Sequence, residues 1–355
     1  MTVQTFRAQN FRCLRDVEVG LATDYNVIFG ANASGKTSIL EALGYLGRGK
    51  SFRGAAPSEL VRHGESEFVL FGQVRAGERT SRVGVRNSAE GLEVKIDGAT
   101  GGGAAALATM LPLQVIDPDV HNLVAGAPDE RRRYLDWIAF HVEHGYLDAW
   151  RHFRRALKQR NAALRSASGP RLIQSWNAEF VTLAEKIDAG RRQALTAAIP
   201  ALEEVGSELL GGPVGFEYQA GWPQEKGLLT LLERGVDRDL QLGSTQYGPH
   251  RADLKLVYDE RRARKLVSRG QQKLLACAMI LGATETALTA LERPLLLLLD
   301  DPAAELDGDS LRQLMARVVN LGCQVVATSL QPEPRLFPET PAVFHVEHGA
   351  VARIE

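Results

Sequence analysis

The sequence predicts an α/β domain split by an inserted helical lobe, and three observations lead there. A glycine-rich turn, "GANASGKTS", stands between an apolar strand pattern and a helical one near the N-terminus. An apolar run, "RPLLLLLDD", ends on two carboxylates near the C-terminus. Between them, strand signals stop near residue 124 and return only after residue 210, so the two ends build one layered domain and the middle builds another. At 355 residues, 45% of them hydrophobic, the chain is long enough for a full core of this kind. The expected division is 1–123 with 245–355 for the head and 124–244 for the helical arm.

Each element follows from its local pattern. "QTFRAQNFRCLRDVEVGL" alternates apolar and polar residues, and "YNVIFG" is a compact apolar run closed by glycine, so the chain opens with strands. From Ser38 the spacing turns helical, with Ile39, Leu40, Leu43 and Leu46 on one face. "FVLFGQVRAG", "SRVGVRN" and "GLEVKIDG" read as antiparallel hairpins, and "GATGGGAAALA" as a glycine-rich connector. After "LPLQVIDPDVHNLV", Asp129 to about Leu210 reads as helix, interrupted at "SASGPR" and near Pro200. Strands return at "VGFEYQAG" and "ADLKLVYDE"; a helix, the run "PLLLLLDD", another helix, "CQVVATSL" and a closing hairpin complete the head.

Composition excludes several classes. The formal net charge is −1, so no global positive field marks a nucleic-acid partner and any basic surface must be local. Cys13, Cys277 and Cys323 are odd in number and set among apolar neighbours, which suits buried thiols in a reducing cytoplasm. The charged N-terminus and the short aliphatic run Leu295–Leu299 give no signal for export or membrane insertion. "FHVEHG" occurs twice, at 140–145 and 344–349, but in helical and strand contexts with unrelated flanks. Its histidines, His141 with His144 and His345 with His348, lack further ligands at metal-binding spacing and read as structural.

Three motifs carry chemistry. "GANASGKTS" fits GxxxxGK[ST] with Gly30, Gly35, Lys36 and Thr37, while Ala31, Asn32, Ala33 and Ser34 fill the turn. Backbone N–H groups of such a loop and the positive end of the following helix hold phosphate oxygens. Lys36 is expected to bridge the β- and γ-phosphates of ATP, and the Thr37 hydroxyl to take one position on Mg²⁺. Asp300 and Asp301 end a buried strand where open α/β sheets bind ligands. Asp300 suits the metal, and Asp301 the polarisation of an attacking water. The plainer reading is a pair of helix-capping acids. The shorter Asp at the second position, where related ATPases often carry Glu, points to slow hydrolysis.

The third motif is Val267-Ser268-Arg269-Gly270-Gln271 at the head of a helix. It resembles the signature turn of the ABC class of ATPases, with arginine in place of the first glycine. Taken alone, Ser268 could be an ordinary N-cap. In that class Ser268, Arg269, Gly270 and Gln271 would complete the nucleotide site of a second copy, so a chain with one phosphate loop and one signature needs a head-to-head homodimer.

Longer stretches narrow the resemblance. "GKTSILEALGYLGRGKSFRG", "RRRYLDWIAFHVEHGYLDAW", "LKQRNAALR", "STQYGPHRADL", "SRGQQKLL" and "LLLDDPAAELD" are similar, nearly end to end, to the RecF family of bacterial recombination mediators. That resemblance implies an ABC-type P-loop ATPase head with an inserted helical lobe, related to the heads of the structural-maintenance-of-chromosomes (SMC) ATPases. It also implies ATP-driven dimerisation, DNA binding, weak ATPase activity in repair and replication, and cooperation with RecR and RecO in loading RecA at gapped DNA. By the same resemblance Glu305-Leu306-Asp307 would be the D-loop at the dimer seam. Pro302, Ala303 and Ala304 depart from the family pattern. Where many ABC ATPases place a γ-phosphate-sensing histidine, "VVATSLQP" offers only Thr328 and Ser329, and near the Q-loop Gln114 lies inside the expected strand while Asp117 and Asp119 follow it.

For DNA, the arm helices offer Arg131, Arg132, Arg133, Arg151, Arg154, Arg155, Lys158, Arg160 and Arg165, and Arg261, Arg262, Arg264 and Lys265 precede the signature. Arg132, Arg133, Arg154, Arg155, Lys158 and Arg160 are the foremost candidates. The expected mode is a basic groove on duplex DNA contacting phosphates, and the bland alternative is solvated faces paired with neighbouring acids. A phosphotransferase would use the same loop but leave the signature idle; a transporter ATPase would share the signature but not the helical insertion.

Overall fold

The computed structural model describes residues 1–166, 169–259, 261–263, 268–332 and 336–354. The chain divides into two compact units, Met1–Val120 with Glu292–Glu355, and His121–Leu291.

The first unit holds two six-stranded sheets. In one, the order is Ala350–Arg353, Ala342–Glu347, Tyr25–Phe29, Gln324–Ser329, Leu296–Leu299, Leu113–Ile116. All pairings are parallel except at the hairpin edge. Leu296–Leu299 is buried at every residue, as a central parallel strand must be. The other sheet is antiparallel, in the order Leu14–Gly20, Thr2–Phe11, Phe68–Ala76, Arg79–Ser88, Gly91–Ile96, Ala99–Thr100. Burial alternates along Phe68–Ala76, matching its period of two. Between the sheets runs the helix Lys36–Arg48. Ile39, Leu40, Leu43 and Leu46 share one core with Phe6, Phe11 and Leu70 of the antiparallel sheet and Ile28, Leu298 and Val326 of the parallel one. Leu46 packs so closely that a Cβ on Gly72 would meet its Cδ2 at 2.6 Å.

The second unit is built from the helices Pro128–Val142, Tyr146–Arg165, Asn177–Leu210 and Arg269–Leu291, with a small antiparallel sheet ordered Arg261–Arg262, Asp253–Tyr258, Val214–Gln219. The expected arm ended at 244; in the structure residues 245–291 group with it. The reason is the helix Arg269–Leu291, whose apolar residues pack among the arm helices, with the Tyr134 hydroxyl donating to the Met279 carbonyl at 2.9 Å. Among the described residues this is the one helix long and apolar enough to cross a membrane, and 61% of that stretch is buried, as a core helix should be.

Three local expectations change. "GATGGGAAALA" contains a helix, Gly103–Met110, because its alanines outweigh the leading glycines. Pro200 does not end its helix, which continues from Asn177 to Leu210. Burial of Ala194, Ala198, Leu202 and Val205 offsets the lost backbone bond, a cost of about 3 kcal/mol. Gly282 of the partner helix sits against the Leu202 backbone, where a Cβ would meet its N at 3.0 Å. Cys13 is exposed, at a turn between two strands, whereas Cys277 and Cys323 are buried. The four histidines set aside as metal ligands include two held in ring contacts, His141 with Trp137 and Phe140, and His345 with Phe29.

Candidate functional site

The phosphate loop joins the strand Tyr25–Phe29 to the helix Lys36–Arg48. Its backbone turns through left-handed conformations at Ala33 (φ 61°) and Gly35 (φ 116°). Glycine is required at Gly30, where a Cβ would lie 2.3 Å from the Val346 carbonyl oxygen. The helix that follows has no side-chain cap and no acidic residue in its first turn, so its positive end is uncompensated. Lys36 donates from Nζ to the carbonyls of Gly30 and Ala31, each at 2.8 Å. Burial lowers its pKa, opposed by Asp301 and Asp300. The Ser34 hydroxyl is buried and, among the described residues, has no hydrogen-bond partner.

The acidic strand end meets this loop. The Thr37 hydroxyl donates to Asp300 Oδ1 at 3.0 Å, and the Thr328 hydroxyl donates to the same oxygen at 2.7 Å. Asp301 follows in a left-handed turn, φ 49°, with its N–H donating to Thr328 Oγ1 at 2.9 Å. Neither acid is the cap of the next helix: Asp307 caps Gly308–Asn320, accepting from the N–H groups of Asp309 and Ser310. Asp307, expected at a dimer seam, therefore has a duty within its own chain.

Register places a further carboxylate here. The N–H of Asp300 donates to the Ile116 carbonyl at 2.8 Å, which sets Asp117 beside Asp300 at the ends of adjacent parallel strands. Burial, then Asp119 and Asp300, push the Asp117 carboxyl up to about 6. Gln114 is buried inside its strand and accepts from Arg48 Nη2 at 3.0 Å. Gln114 thus lies within the strand, as expected, and Asp117 directly follows the strand end at Ile116.

These residues fit a nucleotide and a divalent cation. An orphaned buried hydroxyl and an uncapped helix end suit phosphate, and a threonine hydroxyl facing a carboxylate is an oxygen donor pair of the kind Mg²⁺ prefers.

A family model described as the RecF/RecN/SMC N terminal domain matches residues 2–349. The DNA replication and repair protein RecF of Yersinia pseudotuberculosis is 39% identical to this chain over 355 residues, covering 99% of this chain and 98% of that protein. The chain belongs to the RecF family. The RecF of Edwardsiella ictaluri is also 39% identical, over 97% of this chain and 98% of its own length. In fold, a structure of the recombination mediator RecF with ATP matches with a TM-score of 0.91 at 24% identity, over 99% of this chain and 97% of that one. An SMC head bound to the winged-helix domain of ScpA matches with a TM-score of 0.61 at 14% identity, over 100% and 97%. The α/β class and the head with its helical lobe are thus those of RecF and SMC heads.

The signature turn of this RecF-family chain lies on the second unit. Ser268 caps its helix: the Gln271 N–H donates to Ser268 Oγ at 3.3 Å, and the Ser268 N–H donates to Gln271 Oε1 at 3.0 Å. This is a reciprocal capping box. Ser268 and Arg269 are exposed and Gly270 half-buried, while Val267, Arg264 and Lys265 fall outside the described residues.

The basic candidates separate sharply. Arg160 is fully buried, donating from Nη1 to Asp239 at 2.7 Å and to the Thr245 hydroxyl at 2.7 Å, and from Nε to Asn177 at 3.1 Å. It cannot be a DNA contact, which corrects the expectation from its sequence. Arg131 is likewise buried, paired with Asp253 at 2.7 Å. Arg132 is half-buried and donates to the Ala252 carbonyl at 2.8 Å, and Arg133 pairs with Asp129 and Glu130 on its own helix. Arg154, Arg155 and Lys158 are exposed, share a helix face with Arg151, and among the described residues have no ion-pair partner. Arg154 lies over the Trp150 ring, 4.8 Å from its centroid. Sequence reasoning overlooked Arg191, which pairs with Asp136 at 2.8 Å and donates to the Pro249 carbonyl at 2.7 Å. The arginines of "RRRYLD" and "LKQRN" thus hold the "STQYGPHRAD" segment in place.

Proposed function

We propose that this chain is an ATP-dependent DNA-binding protein of recombinational repair and replication, in which hydrolysis acts as a timing switch and no chemistry is done on DNA. The contact that carries the reading is the Thr37 hydroxyl on Asp300 beside an uncapped phosphate loop, because it joins phosphate binding and metal binding at one point. ATP would sit on Gly30 to Thr37, with Lys36 leaving the Gly30 and Ala31 carbonyls for the phosphates. Mg²⁺ held by Thr37 and Asp300 would neutralise charge developing on the phosphates. Asp301 would polarise the attacking water, slowly because its carboxylate is short for the task. Ser268, Arg269, Gly270 and Gln271 would close the site of a second copy, giving a homodimer when ATP is bound.

On DNA, the exposed face of Arg154, Arg155 and Lys158 would contact phosphates without reading bases. The further partners would be RecR, RecO and RecA at gapped DNA in the cytoplasm, a reading that the RecF resemblance supports. The reading is tested by sedimentation with ATP, ADP and no nucleotide, for wild type and Ser268→Arg. Dimers specific to ATP and lost in the variant are expected. A monomer indifferent to ATP that phosphorylates a small acceptor would overturn the reading in favour of a phosphotransferase.

A further inference from the structure

The strand Gln324–Ser329 runs parallel to Leu296–Leu299 and brings Thr328 alongside the acidic strand end. Thr328 is 1% exposed, so its hydroxyl depends on partners within the fold and not on bulk water. A hydroxyl has one proton to give. At Thr328 that proton goes to Asp300 Oδ1 at 2.7 Å, and the oxygen in turn accepts the Asp301 N–H at 2.9 Å. One side chain therefore grips both acids, Asp300 by its carboxylate and Asp301 by its backbone.

The grip on Asp301 has a conformational purpose. Asp301 sits at φ 49°, a left-handed conformation that aspartate tolerates better than most residues but that still needs its surroundings to hold it. The Thr328 bond to its N–H and the Ala304 N–H donating to its carbonyl at 3.0 Å both help hold the turn. Direction of the Asp301 carboxylate follows from that turn. Thr37 also donates to Asp300 Oδ1, but its hydroxyl has a prospective duty on the metal; Thr328 has none.

We propose that Thr328 is a positioning residue for hydrolysis, fixing the metal-binding Asp300 and the water-polarising Asp301 relative to each other through a single oriented hydroxyl. The inference rests on the reading of Asp301 given above. Threonine→valine keeps the shape and removes the hydroxyl, leaving the Asp301 N–H without its acceptor and Asp300 without one donor. Threonine→serine keeps the hydroxyl. A role confined to folding would weaken nucleotide binding and turnover together, whereas positioning separates them, since the phosphate loop makes its contacts independently of Thr328.

The test compares wild type, Thr328→Val, Thr328→Ser and Asp301→Asn in three measurements: affinity for a fluorescent ATP analogue, the Mg²⁺ concentration for half-maximal binding of that analogue, and the turnover number for ATP. Thr328→Val is expected to lower turnover about 10- to 100-fold and to raise the Mg²⁺ requirement, with analogue affinity at saturating Mg²⁺ within about threefold of wild type. Thr328→Ser should stay within about threefold in all three. Wild-type turnover in the valine variant, equal damage in the serine variant, or parallel loss of affinity and turnover would each overturn the proposal. Should the valine variant not fold, Thr328→Cys, whose thiol is a weak hydrogen-bond partner, carries the same expectation. Full turnover in Asp301→Asn would instead remove the reading of Asp301 itself, a failure distinguishable from that of Thr328 alone.

Discussion

In the arm, each buried arginine among the described residues has found a carboxylate: Arg131 with Asp253 at 2.7 Å, Arg160 with Asp239 at 2.7 Å, Arg191 with Asp136 at 2.8 Å. In the head, Lys36 rests on two carbonyls, the Ser34 hydroxyl is buried without a partner among the described residues, and Thr37 leans on an aspartate that Thr328 also engages. Both regions are rich in polar groups inside a fold, yet the arm's buried arginines are matched within the chain and the groups around the phosphate loop are held by provisional partners. The difference separates residues that build from residues that bind. A charge matched internally at full burial is expensive to disturb and has little left to offer a ligand. A cation on backbone carbonyls can leave them for phosphate.

The sharpest way to break this comparison is in the arm. Arg160→Met should destabilise the protein by about 3–5 kcal/mol, because Asp239 would be left charged and buried. Chemical denaturation measures it; a change under about 1 kcal/mol would mean the pair is not structural. In the head, Asp117→Asn tests the opposite situation. The Asp117 carboxyl is raised to about 6, chiefly by burial, so between its ordinary range near 4 and about 6 the folded chain binds a proton that the unfolded chain releases. Stability from this group is present at low pH and lost as pH rises through the folded value. The variant should therefore exceed wild type by about 1–3 kcal/mol at pH 7 and match it below pH 4, as pH-dependent denaturation would show.

Smaller effects sharpen the roles at the signature and the DNA face. Ser268→Ala should cost about 1 kcal/mol through loss of the cap. Ser268→Asp should keep that stability, since aspartate caps equally well, yet abolish ATP-dependent pairing by setting a negative charge where the second copy's γ-phosphate would come. Sedimentation and denaturation of both variants distinguish a cap from a signature. Arg155→Ala and Lys158→Ala should each weaken DNA binding uniformly across sequences and reduce the salt slope by about 1, leaving ATP affinity unchanged. Arg133→Ala, already paired with Asp129 and Glu130, should change it less.

Much of the head was legible because its motifs are local. The glycine spacing of 30–37 and the apolar run into Asp300 each lie within a few residues, as does the serine opening a helix at 268 in the second unit. The arm was read less well, and Arg160 shows why. By residue type it is one of a basic series with Arg154, Arg155 and Lys158, and its partner Asp239 is 79 residues away. A signal was nevertheless present: Phe153, Ala156, Arg160 and Leu164 lie on one helical stripe, and all four are buried. An arginine on an apolar stripe announces an inward charge. Thr328 drew notice in the sequence only as standing where a γ-phosphate-sensing histidine is lacking, because its bond to Asp300, 28 residues off, depends on strand register. The boundary at 244 failed for a related reason, since the helix opened by the signature motif buries its apolar length in the arm unit.

The central claim is that the provisional partners of the head give way to a nucleotide while the matched charges of the arm do not. Calorimetric titration of ATP with Mg²⁺ into wild type, Lys36→Ala and Arg133→Ala, which removes a cation paired with Asp129 and Glu130, tests it most directly. Saturable binding that needs Mg²⁺ for full affinity, lost in Lys36→Ala and unchanged in Arg133→Ala, is the predicted result. Absence of binding to wild type, or binding that survives Lys36→Ala at full strength, would contradict it.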